Sequence, residues 1–136
     1  MKVMIMEERM NKEQVIELIK SIDIDKEEFI VLSSGALVLR GIFDNAGDID
    51  IAVTEKGLEQ LKEKYDIKLK GDEWPGWYRI NDKIECIVDD MENKKEKVGE
   101  YYLQDIFDYL DYMKSSKREK YIPRIELVEK YIKENY

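Results

Sequence analysis

The sequence predicts an α/β (α+β) domain with a small mixed β-sheet flanked by helices. Apolar spacing alternates along the chain between the 3.6-residue period of helices and the two-residue period of strands. The strand-like runs are short and are separated by glycine, proline or asparagine turns rather than by long linkers. The chain has 136 residues, of which 43% are hydrophobic, enough for a modest core and for a single domain over residues 1–136.

Asn11 reads as an N-cap with Gln14 completing a capping box, and Val15, Ile16, Leu18, Ile19 and Ile22 follow at helical spacing, predicting a helix over 12–22. FIVLS (29–33) reads as a buried strand that Ser34 and Gly35 break. Ala36 to Leu39 then forms a short helix started at a glycine turn, and 41–47 is a loop. DIDIAV (48–53) returns to period two, and Thr54 caps a helix to about Tyr65 with Leu58 and Leu61 facing inward. DIKLK (66–70) alternates as a strand, GDEWPG turns, and WYRI and KIECIVD form a hairpin around Asn81-Asp82. Residues 89–100 read as a charged loop. C-terminal helices span about 103–136, with Ile106, Phe107, Leu110 and Met113 at helical spacing and Pro123 in the first turn of the last one.

Charged residues make up 40% of the chain and the net charge is −8, which disfavours general nucleic-acid binding; the one basic run is KSSKREK, 114–120. A single cysteine, Cys86, rules out an intrachain disulfide and suits a reducing cytosol. No apolar run approaches the ~20 residues of a membrane span, and MKVMIMEERM is too acidic for a secretory signal, so a cytoplasmic protein is expected. The chain has no histidine, which excludes Ser-His-Asp and Cys-His catalysis and, with one cysteine, the usual zinc sites. Oxygen-ligand chemistry remains: Asp and Glu holding Mg²⁺ or Mn²⁺.

Asp48 and Asp50 lie two apart at the start of a strand and therefore share one face, while Ile49 and Ile51 pack inward. Two carboxylates side by side must shift a pKa, find cations or bind a metal. Glu85 sits in an otherwise apolar strand, on the face opposite Ile84, Cys86 and Val88. An adjacent strand carrying Asp48 and Asp50 would explain it, completing a triad of metal ligands and catalytic carboxylates: Asp48, Asp50 and Glu85. Each acid taken alone is also what a solvated strand face carries.

The joint pattern, Ser34-Gly35-Ala36 followed after a dozen residues by Asp48-Ile49-Asp50-Ile51, resembles the nucleotidyltransferase superfamily of the minimal, polymerase-beta-like type. Glu85 maps best onto that family's third carboxylate. Lys114, Arg118 and Lys120 match its C-terminal basic segment, so the resemblance covers roughly residues 12–135. The sequence departs from the pattern at Ala36, where Gly or Ser is usual, at Glu85, where Asp is usual, and at Tyr121, where Asp is frequent. The resemblance implies transfer of a nucleoside monophosphate from an NTP to an acceptor hydroxyl on a small molecule, RNA or protein. Asp48, Asp50 and Glu85 would hold Mg²⁺ or Mn²⁺. Ser34 and Gly35 would cradle phosphate, and Arg40, or Lys117 and Arg118, would neutralise the leaving pyrophosphate. The other reading is a catalytically degenerate member serving as a binding partner or antitoxin-like module. Trp74, Trp77 and Tyr78 are expected to cover the open side of the sheet. Tyr101, Tyr102, Tyr109 and Tyr112 are expected to pack between helices or at the interface of a homodimer or partner protein.

Overall fold

The computed structural model describes residues 9–89 and 94–136. Among them, nine strands and five helices follow in chain order. They are β1 (Met10–Asn11), α1 (Lys12–Lys20), β2 (Phe29–Val31), α2 (Ser33–Leu39), β3 (Asn45–Ala46), β4 (Ile49–Val53), α3 (Glu55–Lys64), β5 (Lys68–Leu69), β6 (Trp77–Arg79), β7 (Ile84–Val88), β8 (Lys95–Val98), β9 (Tyr101–Gln104), α4 (Ile106–Ser115) and α5 (Tyr121–Asn135). Seven strands form one mixed sheet in the order β5-β6-β7-β4-β2-β9-β8, and β1 pairs with β3 in a separate two-stranded ribbon. The α/β class expected from the sequence is what the chain adopts.

Local side-chain caps account for three of the five helix starts among the described residues. Asn11 caps α1 through a full capping box with Gln14. The Thr54 side chain accepts from Gly57 N at the start of α3, and Asp105 does the same for Asp108 N at the start of α4. Gly57 has a second reason to be glycine: a Cβ there would stand 2.7 Å from the Glu28 carbonyl oxygen, so only a bare backbone lets α3 come this close.

The sheet is two-sided. β4 lies at its centre, parallel to β7 and antiparallel to β2. Phe29, Val31, Ile49, Ile51, Val53, Ile84, Cys86, Tyr101 and Leu103 point to one face, where α1, α2 and α3 cover them with Val15, Ile19, Val38, Leu58 and Leu61. The opposite face carries Ile30, Leu32, Ala52, Ile87, Trp77 and Tyr102 as a smaller apolar patch. Helices α4 and α5 form their own cluster, with Ile106, Tyr109, Leu110, Met113, Tyr121 and Val128 closing around Leu37 of α2.

Four expectations are corrected. Ser34 and Gly35 do not break the chain after β2; they lie inside α2, which begins at Ser33. A Cβ on Gly35 would stand 3.1 Å from both Val31 Cγ1 and Ile49 Cδ1, so the glycine lets the helix lie close on the sheet rather than turn. The stretch expected as a charged loop contains β8, whose Lys95, Glu96 and Lys97 pair along β9 at the sheet edge, where charges are tolerated; residues 90–93 of that stretch lie outside the described residues. Tyr101, Tyr102 and Leu103 belong to β9 rather than to a helix, and α4 starts only at Ile106. The loop 41–47 holds β3, which pairs Asn45 with Asn11 and Ala46 with Met10. No helix among the described residues is long and apolar enough to cross a membrane.

Candidate metal centre

The pairing of β4 with β7 sets Asp50 directly beside Glu85. Both project from the face opposite the buried Ile49, Ile51, Ile84 and Cys86, as alternation requires. Asp48 precedes β4, in the segment that the β1–β3 ribbon and the fully buried Ala46 hold in place. The carboxylates of Asp48, Asp50 and Glu85 each bring an oxygen to within 4.8 Å of the other two. Every donor is a carboxylate oxygen, which suits a hard divalent ion such as Mg²⁺ or Mn²⁺. This acidic triad could hold such an ion.

The three acids are not equivalent. Asp48 is exposed and Asp50 half-buried, while the Glu85 side chain is only 12% exposed. Glu85 is compensated on both oxygens: Lys70 Nζ donates to Oε1 at 2.8 Å, and Arg79 Nη2 lies 3.4 Å from Oε2. Arg79 is the direct cross-strand neighbour of Glu85 on β6, so the sheet register itself supplies one of these partners. Asp48 and Asp50 have no side-chain hydrogen bond or ion pair with any described residue. Burial, then the negative charges of Asp48 and Glu85, push the Asp50 carboxyl up to about 6 against an ordinary 3.8, with Lys70 and Lys120 pulling the other way.

The triad opens into a cavity of about 590 Å³. Arg118 and Lys120, just before α5, and Arg124 in its first turns line it, as does Arg9. Burial and the charges of Arg118 and Arg124 lower the Lys120 ammonium, and Asp48 and Asp50 partly restore it. Arg124 Nη1 donates to the buried Tyr109 hydroxyl at 3.0 Å and lies over the rings of Phe43 and Tyr121, which fixes the guanidinium. The remaining lining includes Ser33 and Ser34 from α2, Trp74 from the turn before β6, Trp77 from β6 itself, and Gln104 from β9. Ser33 has φ of 50°, a left-handed conformation that non-glycine residues seldom adopt, and its N–H donates to Gln104 Oε1 at 3.0 Å. Backbone strain at the mouth of a cavity is characteristic of functional segments.

Of the residues expected at the site, Asp48, Asp50, Glu85 and Ser34 line this cavity. Gly35 is buried beneath Val31 and Ile49 and is not part of the lining. Arg40 is also elsewhere. Its guanidinium side chain is 1% exposed, donates to the Gln104 carbonyl at 3.0 Å and lies 3.6 Å from Glu96. Arg118 lines the cavity and Lys117 does not. Ala36, where the resembled pattern has Gly or Ser, points into the core at 2% exposure. Trp77 packs on the open sheet face as expected, whereas Tyr78 packs with the helix-covered core.

Sequence alone does not bring Arg9, Ser33, Lys70, Arg79, Gln104 and Arg124 to the site. Only Arg124 had a readable signal: it shares a helical stripe with Tyr121 and Val128, an unusual place for a charge. Lys70 and Gln104 lie at strand ends, where spacing carries little information. Fold and site together define a mixed α/β protein with an acidic triad that could hold a metal ion, in a cavity lined by several cations. No protein-family model matches the chain, and no curated protein matches it in sequence.

Proposed function

We propose that this chain is a metal-dependent nucleotidyltransferase that moves a nucleoside monophosphate from an NTP to an acceptor hydroxyl. The observation that carries this reading is one cavity holding both an all-carboxylate triad and the cationic group Arg118, Lys120 and Arg124. A ligand matching both has a bound divalent ion and several negative charges, which describes a metal–polyphosphate. The cavity volume falls within the range of small-ligand sites. The motif Ser34-Gly35 followed by Asp48-Ile49-Asp50-Ile51 supports the same class.

Asp48 and Asp50 would hold the ion, which would supply charge neutralisation at the phosphates and ease deprotonation of the acceptor hydroxyl. Arg118 and Lys120 stabilise negative charge on the pyrophosphate as its bond to the α-phosphorus breaks and the acceptor oxygen bonds in its place. The acceptor proton needs a base. Lys70 and Arg79 occupy Glu85 and the ion would occupy Asp48 and Asp50, so the proton would pass to solvent from a hydroxyl that the ion has made more acidic.

Calorimetry with Mg²⁺ and each NTP tests the reading. Binding that requires Mg²⁺ and is lost when Asp48→Ala is combined with Asp50→Ala supports it. Binding indifferent to both changes overturns it. Transfer of label from α-labelled NTPs in cell extract, compared between wild type and Asp50→Asn, would then report the acceptor class.

A further inference from the structure

We infer that the Lys70 ammonium is a built-in cation standing where a second metal ion would bind Glu85, so that the cluster takes one divalent ion, between Asp48 and Asp50. This rests on the reading of the triad as a metal centre.

The three carboxylates divide into two sets. Asp48 and Asp50 have no fixed positive partner among the described residues, whereas Glu85 has two. The Lys70–Glu85 distance of 2.8 Å is that of a charge-assisted hydrogen bond, with the two side chains only 21% and 12% exposed, so solvent and salt screen the pair little. Lys70 is held from three sides. Its backbone N–H donates to the Trp77 carbonyl at 2.8 Å, Glu85 holds its tip, and the Trp74 ring lies 4.3 Å from Nζ. Trp74 is half exposed, so one face of its ring is open to water while the ammonium sits over the ring.

Charge points the same way. At Glu85 itself a single carboxylate faces two cations, Lys70 and Arg79. An ion on Glu85 would therefore enter a positive site and displace an ammonium from its hydrogen bond, whereas Asp48 and Asp50 carry no such hydrogen-bonded cation among the described residues. A site that needed Glu85 as a bridging ligand between two ions would leave both its oxygens free of protein cations; here Lys70 holds Oε1 at 2.8 Å and Arg79 stands 3.4 Å from Oε2.

The test counts ions with Mn²⁺ alone, by electron paramagnetic resonance titration of the full chain without nucleotide. Wild type is expected to bind one ion, lost with Asp48→Ala plus Asp50→Ala. Lys70→Met keeps the aliphatic stem and removes the charge, and is expected to bind two. Lys70→Arg keeps a cation on Glu85 and is expected to bind one. Glu85→Gln, a second route should Lys70→Met not fold, is expected to leave the count at one, since Glu85 does not hold the ion. Two ions in wild type, or in Lys70→Arg, overturn the inference. So does one ion in Lys70→Met while wild type retains its Asp48- and Asp50-dependent ion, and that result leaves the metal-centre reading standing. No ion in any variant overturns both.

Discussion

Strands β4 and β7 present two faces with opposite chemistry on the same five paired residues. On one, Ile49, Ile51, Val53, Ile84 and Cys86 are each at most 1% exposed under three helices. On the other, one residue away along each strand, stand Asp50 and Glu85 with Ala52 and Ile87 beyond them. The first face gains stability by excluding water. The second gives some of it up, because it gathers like charges and leaves two of them without a hydrogen bond or ion pair among the described residues. A rigid apolar face is what allows the charged face to hold its geometry without collapsing.

Changes to the two faces should therefore have different signatures. The largest stability loss is expected on the covered face: Ile51→Ala should cost about 2–5 kcal/mol, because its neighbours from both strands and helices cannot refill the space. Chemical denaturation measures it, and a cost under 1 kcal/mol would mean that the face is loosely packed. On the charged face the sign reverses. Asp50→Asn should lower catalytic turnover by about 10²–10³-fold, or roughly 3–4 kcal/mol of transition-state stabilisation, yet raise the melting temperature of the metal-free protein above pH 7.

That gain has a pH dependence. The Asp50 carboxyl is near 6 when folded against 3.8 ordinarily. A group raised on folding favours the fold below its unfolded value, and this support is lost as pH rises through the folded value. Metal-free wild type should therefore lose up to about 3 kcal/mol relative to Asp50→Asn between pH 4 and pH 7, while Mn²⁺ affinity climbs over the same range as Asp50 deprotonates. Melting curves of both proteins across this range check it, and parallel curves would show that Asp50 is not desolvated.

A smaller effect is expected where the faces meet the helices. Gly35→Ala gains helix propensity but presses on Val31 and Ile49, and the net cost should be about 1 kcal/mol. The smallest concerns Cys86. Burial pushes its thiol up to about 12, so it should stay unmodified by iodoacetamide in the native state and react once denaturant is added. Rapid native labelling would show that the covered face opens.

Much of this was readable in advance, for local reasons. The caps at Asn11 and Thr54 involve residues three apart, and the inward faces of β4 and β7 follow from alternation. The same alternation placed Asp50 and Glu85 on non-core faces, and the nearness of Asp48 to Asp50 followed from their spacing. Strand β8 was not readable, because Lys95-Glu96-Lys97 has no apolar rhythm and becomes a strand only by pairing with β9. The role of Gly35 was misread, because glycine next to serine looks like a turn until a sheet is laid against it. Arg40 shows the same limit: its type suited an anion site, but its place at the end of α2 sends it to the Gln104 carbonyl and Glu96.

By itself, then, the sequence determined the class of fold, the oxygen-only chemistry of a histidine-free chain, and which carboxylates leave the core, since these depend on composition and on backbone geometry within a few residues. Only the tertiary structure decided that Asp50 and Glu85 are register partners, that Lys70 and Arg79 cover Glu85 while Asp48 and Asp50 stay open, and that Arg118, Lys120 and Arg124 share their cavity. Those facts depend on which distant segments meet, and no spacing along the chain encodes that.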